Sequence, residues 1–361
     1  MDSKKEQLYA LLRANPYVSQ QDLAQQLGLS RSAVAGHIAA LTRERRILGR
    51  AYVLPQARPI VCIGGSNVDR KLRSLAPLQM RTSNPAALRE TPGGVARNVA
   101  ENLARLGLPV HLLTAVGDDP AGRGLLGQLQ QLGAQTGGSL QAADAHTGSY
   151  TAVLDLSGEL VLALAHMELV ERITPDFLRL CAAQRAQAGS LVLDLNLPAA
   201  SVQLLIEEAR TSGQRLSAVA VSQPKMERLP EDLQGLDLLI LNRDELQTLS
   251  GLRLGSERAW QRALEQLRAR GLQRLVVTDG AAGLRLAEQG GDLQTMAAAA
   301  VPVADVTGAG DAFAAGVCAA LHHAPEDLTA ACRLGLRLAA LTLQTEHTVH
   351  PDLTPEFLSH A

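Results

Sequence analysis

From Pro59 onward, short apolar runs partly made of β-branched residues alternate with amphipathic stretches of helical period. The runs fall at 60–63, 110–116, 191–195, 216–221, 236–241 and 275–278, and stretches such as 95–106 and 122–132 lie between them. A strand that reads as continuously apolar is buried on both faces, which is the condition of a parallel sheet covered by crossover helices. The pattern therefore predicts an α/β domain with a doubly wound, mostly parallel sheet. Two stretches break the rhythm. Residues 72–90 and 147–164 have the alternating character of half-exposed strands. They predict a small β-sheet projecting as a lid.

The first 55 residues follow a different rule. Leu8, Leu11 and Leu12 share one side of a helix over 4–14. Ser19 is placed to cap a second helix, 20–27, and Ser30 a third beginning at Arg31. Val34, Ile38 and Leu41 form its apolar stripe. Residues 45–54 read as a short basic hairpin, and helix, turn, helix and wing is the layout of a winged helix-turn-helix DNA reader. Residues 1–58 carry nine Lys/Arg against four Asp/Glu, leaving them at +5 while the remainder is at −7. That asymmetry favours nucleic acid as partner over a protein-interaction role. Arg31, Ser32 and Arg43 are the candidates on the third helix, with Arg46 and Arg50 in the hairpin for phosphates. The expected domains are 1–55, the DNA-binding domain, and 59–361, with a linker near 55–59.

Bulk properties narrow the classes further. No eighteen-residue apolar run exists, so no membrane span is expected, and the charged N-terminus lacks the apolar centre of a signal peptide. Cys62, Cys181, Cys318 and Cys332 are scattered without paired spacing, which argues against disulfides and a zinc site. The expected compartment is the cytoplasm. No histidine has metal-ligand spacing with another His or Cys, and Trp260 reads as a packing residue.

Three motifs carry chemistry. In Asp305-Val306-Thr307-Gly308-Ala309-Gly310-Asp311, glycines at a helix start leave backbone N–H groups open to an anion, and the following Asp can take a proton from an attacking hydroxyl. The alternative is a Gly-rich helix start with a structural Asp. Gly93-Gly94-Val95-Ala96-Arg97-Asn98 opens another helix, either as a plain turn or as a close approach to a ligand. Asn242 and Glu245 follow an apolar strand and could hold a hydrated Mg²⁺ near phosphates or simply cap a helix.

Together, in their chain order of 93–98, 242–245 and 305–311, the motifs resemble those of the ribokinase-like carbohydrate kinase family, also called the PfkB family. The resemblance covers about 59–355 and implies a ribokinase-like fold with ATP as phosphoryl donor. It implies Asp311 as catalytic base and the backbone of Gly308, Ala309 and Gly310 as anion hole. It assigns Asn67, Asp69, Gly93, Gly94 and Asn98 to the acceptor, and Asn242, Thr278 and Gly280 to the nucleotide. Mg²⁺ would sit near Asn242 and Glu245 through phosphates and water. A monovalent cation such as K⁺ would sit near Asp305, with carbonyls from 345–350. The sequence departs from the family at Val306, at Pro198 after Asp194-Leu195-Asn196, and at His166-Met167-Glu168. Those changes touch acceptor choice and leave the transfer parts intact. Within the family, the 93–103 stretch is most similar to pseudouridine and related nucleoside kinases. Ribose or another sugar is the rival acceptor, and a DNA-binding regulator using the kinase body as ligand sensor is the rival class. The body is expected to form a homodimer.

Overall fold

The computed structural model describes residues 4–14, 19–44 and 58–359. The chain divides into two compact units, Met1–Ala57 and Arg58–Ala361.

In the first unit, helices α1 (Lys4–Ala14), α2 (Gln20–Leu27) and α3 (Arg31–Arg43) surround a small core of Leu8, Leu23, Leu27, Val34 and Leu41. Ser19 Oγ accepts the Asp22 N–H and Ser30 Oγ the Ala33 N–H, each at 3.1 Å, so both expected caps are formed. Such a cap is typically worth about 1 kcal/mol. The predicted hairpin 45–54 lies outside the described residues.

The second unit is built on two sheets. Its strands in chain order are β1 (Ile60–Ile63), β2 (Asn67–Ser74), β3 (Ala86–Gly93), β4 (Val110–Leu113), β5 (Ala115–Gly117), β6 (Leu140–Ala142), β7 (Gly148–Leu154), β8 (Leu160–His166), β9 (Ser190–Asp194), β10 (Arg215–Val219), β11 (Leu238–Asn242), β12 (Arg274–Thr278), β13 (Leu284–Ala287) and β14 (Gln294–Met296). The large sheet runs β14-β13-β12-β11-β10-β9-β1-β4. Its six strands from β12 to β4 are parallel, and β13 and β14 join antiparallel. Alternate residues of β1 explain the two layers. Val61 and Ile63 enter one core with Leu193, Leu216 and Trp260, while Ile60 and Cys62 enter the other with Val99, Leu103 and Phe313. Each fully buried Leu or Ile there contributes about 1.5–3 kcal/mol. Trp260 packs as expected, with the Arg285 guanidinium 4.5 Å from its ring.

The small sheet runs β3-β2-β7-β8. It is the expected lid, but it reaches beyond the alternating stretches: β2 starts at Asn67 and β3 ends at Gly93, so Asn67, Asp69 and Gly93 lie on lid strands while Gly94 and Asn98 belong to the following helix. The apolar run 110–116 is not one strand. Thr114 bends it, donating from Oγ1 to Gly64 O at 2.6 Å, and β5 leaves to pair with β6. Strands β13 and β14 are additions to the expected set.

Candidate functional site

Chain order reverses at β1, with β4 on one side and β9 on the other. The carboxyl ends of strands at such a crevice are where open α/β sheets bind ligands. Gly64 and Gly65 follow β1 there, and Asp194 ends β9. Asp194 is fully buried, and Oδ2 accepts N–H groups of Gly65 (2.9 Å) and Ala96 (2.8 Å), while Oδ1 accepts that of Asn196 (2.9 Å). Burial pushes its pKa up, against the pull of those hydrogen bonds. Asp194 thus pins the start of helix α4 (Val95–Arg105) to the sheet.

That pin positions the Gly-Gly motif. Gly94 has φ +98°, and a Cβ there would lie 2.4 Å from Gly65 O. A Cβ on Gly93 would lie 2.4 Å from the Asp69 carboxylate, so the pair admits the lid strand at backbone distance. Asn67 Nδ2 donates to Asp69 Oδ1 at 2.6 Å, and burial raises the Asp69 pKa. One helical turn on, Asn98 Nδ2 donates to Asp311 Oδ2 at 2.8 Å. Arg97, fully buried and ion-paired with Glu101, donates from Nη1 to Asn98 Oδ1 at 3.0 Å and so fixes which way the amide faces. The expected acceptor residues and the expected base are therefore brought together. Asn98 thus holds the Asp311 carboxylate.

Asp311 lies in the first turn of the helix Ala309–His323. Burial raises its pKa to about 7; the Asn98 hydrogen bond opposes this, and the Asp194 and Asp69 carboxylates add to it. Such a carboxylate is tuned for general-base work near neutral pH. Gly308, at φ +84°, caps the helix without a side-chain bond. Ala309 N–H turns back to Val306 O at 3.3 Å. Those of Gly308, Gly310 and Asp311 have no protein acceptor among the described residues. They are open donors at a helix N-terminus, the arrangement that receives an anion.

The nucleotide candidates gather at the ends of β11 and β12, where Asn242 and Thr278 are direct cross-strand neighbours. Gly280, at φ +54°, turns the chain after Thr278. Asn242 and Glu245 form a reciprocal capping box: Asn242 Oδ1 accepts the Glu245 N–H (2.9 Å), and Glu245 Oε2 accepts the Asn242 N–H (2.7 Å). Both alternatives for this pair remain compatible with the geometry, because the cap uses one carboxylate oxygen and leaves Oε1 for the water of a hydrated cation. Among the described residues no group of three or more His, Cys, Asp or Glu is placed to hold a metal.

Asp305 departs from expectation. Its Oδ1 is taken by Thr307, through N–H (2.9 Å) and hydroxyl (2.7 Å), and its Oδ2 by the Lys71 ammonium at 2.5 Å. The carboxylate set expected for a monovalent cation is already filled from the protein. Arg97 and Lys71 are site residues missed by motif reasoning, whereas Asp194 was noted in the Asp194-Leu195-Asn196 stretch without its role in pinning α4. Asp194 had a signal, a carboxylate ending a buried strand.

In the first unit, Arg31, Ser32 and Arg43 are exposed on α3, away from Val34 and Leu41. Arg46 and Arg50 lie outside the described residues.

Residues 57–355 match the family described as pfkB family carbohydrate kinase, and residues 1–47 match winged helix-turn-helix DNA-binding. An uncharacterized sugar kinase of Escherichia coli (strain K12), YeiI, is 31% identical over 88% of this chain and 87% of its own. The pseudouridine kinase of the same strain is 32% identical over 82% of this chain and 93% of its own. A structure of Arabidopsis thaliana ribokinase complexed with ribose and ATP has a TM-score of 0.71 at 20% identity, covering 84% of this chain and 98% of that one. The likeness extends to the whole second unit and makes its fold ribokinase-like.

Proposed function

We propose, from the premise that this chain belongs to the pfkB family of carbohydrate kinases, that it transfers the γ-phosphoryl group of ATP to the 5′-hydroxyl of a nucleoside, pseudouridine foremost. The observation that carries the acceptor reading is the lid register. Tyr150 is the direct neighbour of Asp69 across β2 and β7, and directly paired residues share a sheet face. A carboxylate for ribose hydroxyls and a partly exposed ring for a base thus stand side by side. The Ser66 hydroxyl, just before β2, is buried with no protein partner, a polar group left for an acceptor.

Asp311 takes the proton of the 5′-hydroxyl as that oxygen attacks phosphorus. The open N–H groups of the 308–311 turn receive the charge on the transferring group. Asp69 orients the sugar. Asn242, Thr278 and Gly280 hold the nucleotide, and Mg²⁺, reached through water by Glu245, neutralises the phosphates. The four free, buried cysteines suit a reducing cytoplasm, and no helix among the described residues is long and apolar enough to cross a membrane. Strand β8 exposes Leu160, Val161, Leu162 and Leu164, and we assign this apolar edge of the lid to a homodimer contact.

Competition kinetics on nucleosides and sugars test the acceptor. Pseudouridine is expected to have the highest kcat/KM; free ribose equalling or exceeding it and the common nucleosides would overturn the nucleoside assignment.

For the first unit we propose DNA binding, supported by its exposed arginines and its match to DNA-binding domains. If three phosphates are neutralised, affinity for upstream DNA should fall roughly 40-fold between about 50 and 200 mM salt, from a log–log slope near −0.9 per phosphate. A salt-insensitive interaction would favour a protein-docking role.

A further inference from the structure

Successive side chains of a strand alternate in direction, so Asn67, Asp69 and Lys71 lie on one face of β2. The first two serve the acceptor end of the site. Lys71 reaches the phosphate end: its ammonium is 2.5 Å from Asp305 Oδ2 and 3.0 Å from Thr307 Oγ1. Thr307 is in turn folded onto Asp305 Oδ1, and the next residue is Gly308, which opens the anion-receiving turn. The ion pair is substantially shielded, with the Lys71 and Asp305 side chains 32% and 18% exposed. Burial works against the Asp305 charge, but the Lys71 and Thr307 hydrogen bonds outweigh it and hold its pKa low.

The resemblance drawn from the sequence implied a monovalent cation beside Asp305. The structure disagrees. Both carboxylate oxygens are occupied, one by the protein's own cation, and a second cation on the same half-buried carboxylate would be repelled by the first. We propose that Lys71 is a positioning residue that stands in for a monovalent cation, its ammonium fixing Asp305 and Thr307 and through them the 308–311 turn. The inference rests on the kinase reading and adds two consequences. Turnover needs no added potassium. The anion-receiving turn is set only when the lid strand that carries Asp69 is seated, so acceptor capture and phosphate readiness share one element.

The test compares wild type, Lys71→Ala and Lys71→Met in tetramethylammonium chloride, with K⁺ or NH₄⁺ substituted at constant ionic strength. Rates are read both as phosphorylated acceptor and as ADP release without acceptor, so a wrong acceptor leaves the second readout intact. Wild type is expected to be indifferent to the cation. Lys71→Ala should lose about 10²-fold in kcat, the scale of a misplaced reacting group. It should recover most of that loss in K⁺ or NH₄⁺, because the small cation can enter the vacated space. A merely structural lysine would give no such rescue. Strong activation of wild type by K⁺ would overturn the proposal, and that measurement needs no variant to fold. A Lys71→Ala enzyme at the wild-type rate, or one that no small cation restores, would overturn it as well.

Discussion

Asp311→Asn should leave a folded protein that binds both substrates and turns over about 10²–10⁴-fold more slowly. The substitution keeps an oxygen for the Asn98 amide, which lies 2.8 Å from Asp311 Oδ2, and removes only the proton acceptor. Steady-state kinetics should place the loss in kcat, with KM for acceptor and ATP nearly unchanged. The wild-type pH profile gives an independent check. With its pKa raised to about 7, Asp311 is mostly protonated below that pH and unable to act as base. Activity should climb about tenfold per pH unit up to about 7 and then level, and Asp311→Asn should lack that limb. Stability carries the opposite sign. A carboxyl whose folded pKa exceeds its unfolded 3.8 is stabilising when protonated, and that contribution drains away as pH rises through the folded value. The Asn variant has no such charge to bury. It should melt above wild type at pH well over 7, and the gap should close as pH falls toward 3.8. Wild-type turnover by the variant would remove Asp311 from the base role.

Gly308→Ala should be nearly as damaging, by a different route. The residue has φ +84°, and an added Cβ would fall 2.0 Å from the Thr348 carbonyl. Left-handed backbone costs a non-glycine residue of order 1–3 kcal/mol, and the contact is with backbone that cannot swing aside. The turn must shift, carrying the N–H groups of 310 and 311 away from the transferring phosphoryl group. Loss of one such donor costs about 10²–10³ in rate. Calorimetry should show a lowered Tm beside the fall in kcat. Gly310→Ala is the control for stability. Its Cβ would meet nothing within 4 Å and its φ is not in the left-handed range, so its Tm should stay at the wild-type value. A Gly308→Ala enzyme with unchanged Tm and rate would mean the turn tolerates the shift.

Much of this arrangement was legible before any coordinates, because it depends on local spacing. Continuous apolar runs marked β1, β9, β10, β11 and β12, since a strand buried on both faces has no polar side to hide the signal. Ser19 and Ser30 announced their helices by cap chemistry alone. The Asn242–Glu245 pair was equally local, and its three-residue spacing is that of the capping box it forms. What failed was whatever depends on partners distant in the chain. Strands β13 and β14 span four and three residues, too few for a period to declare itself. The break at Thr114 follows from a hydroxyl meeting a carbonyl fifty residues earlier. Lys71 falls just outside the stretch read as a lid strand, and its partner Asp305 lies 234 residues away. Arg97 sits inside a motif read for its glycines, and only the fold shows it buried and steering Asn98.

The placement of Asp69 and Tyr150 on the small sheet, with Asp311 and its turn on the large domain, has an evolutionary meaning. On the proposed reading, the lid contacts to the acceptor and the base itself are inherited on separate pieces of backbone, tied together through Lys71 and Asn98. Mutations in β7 or β8 can sample new alcohols while the transfer apparatus, buried against a different core, is left under unchanged selection. Such a lineage would be expected to diversify in diet faster than in mechanism. Duplicated copies of this gene should differ first at 150 and at the lid positions around it, and last at 308–311.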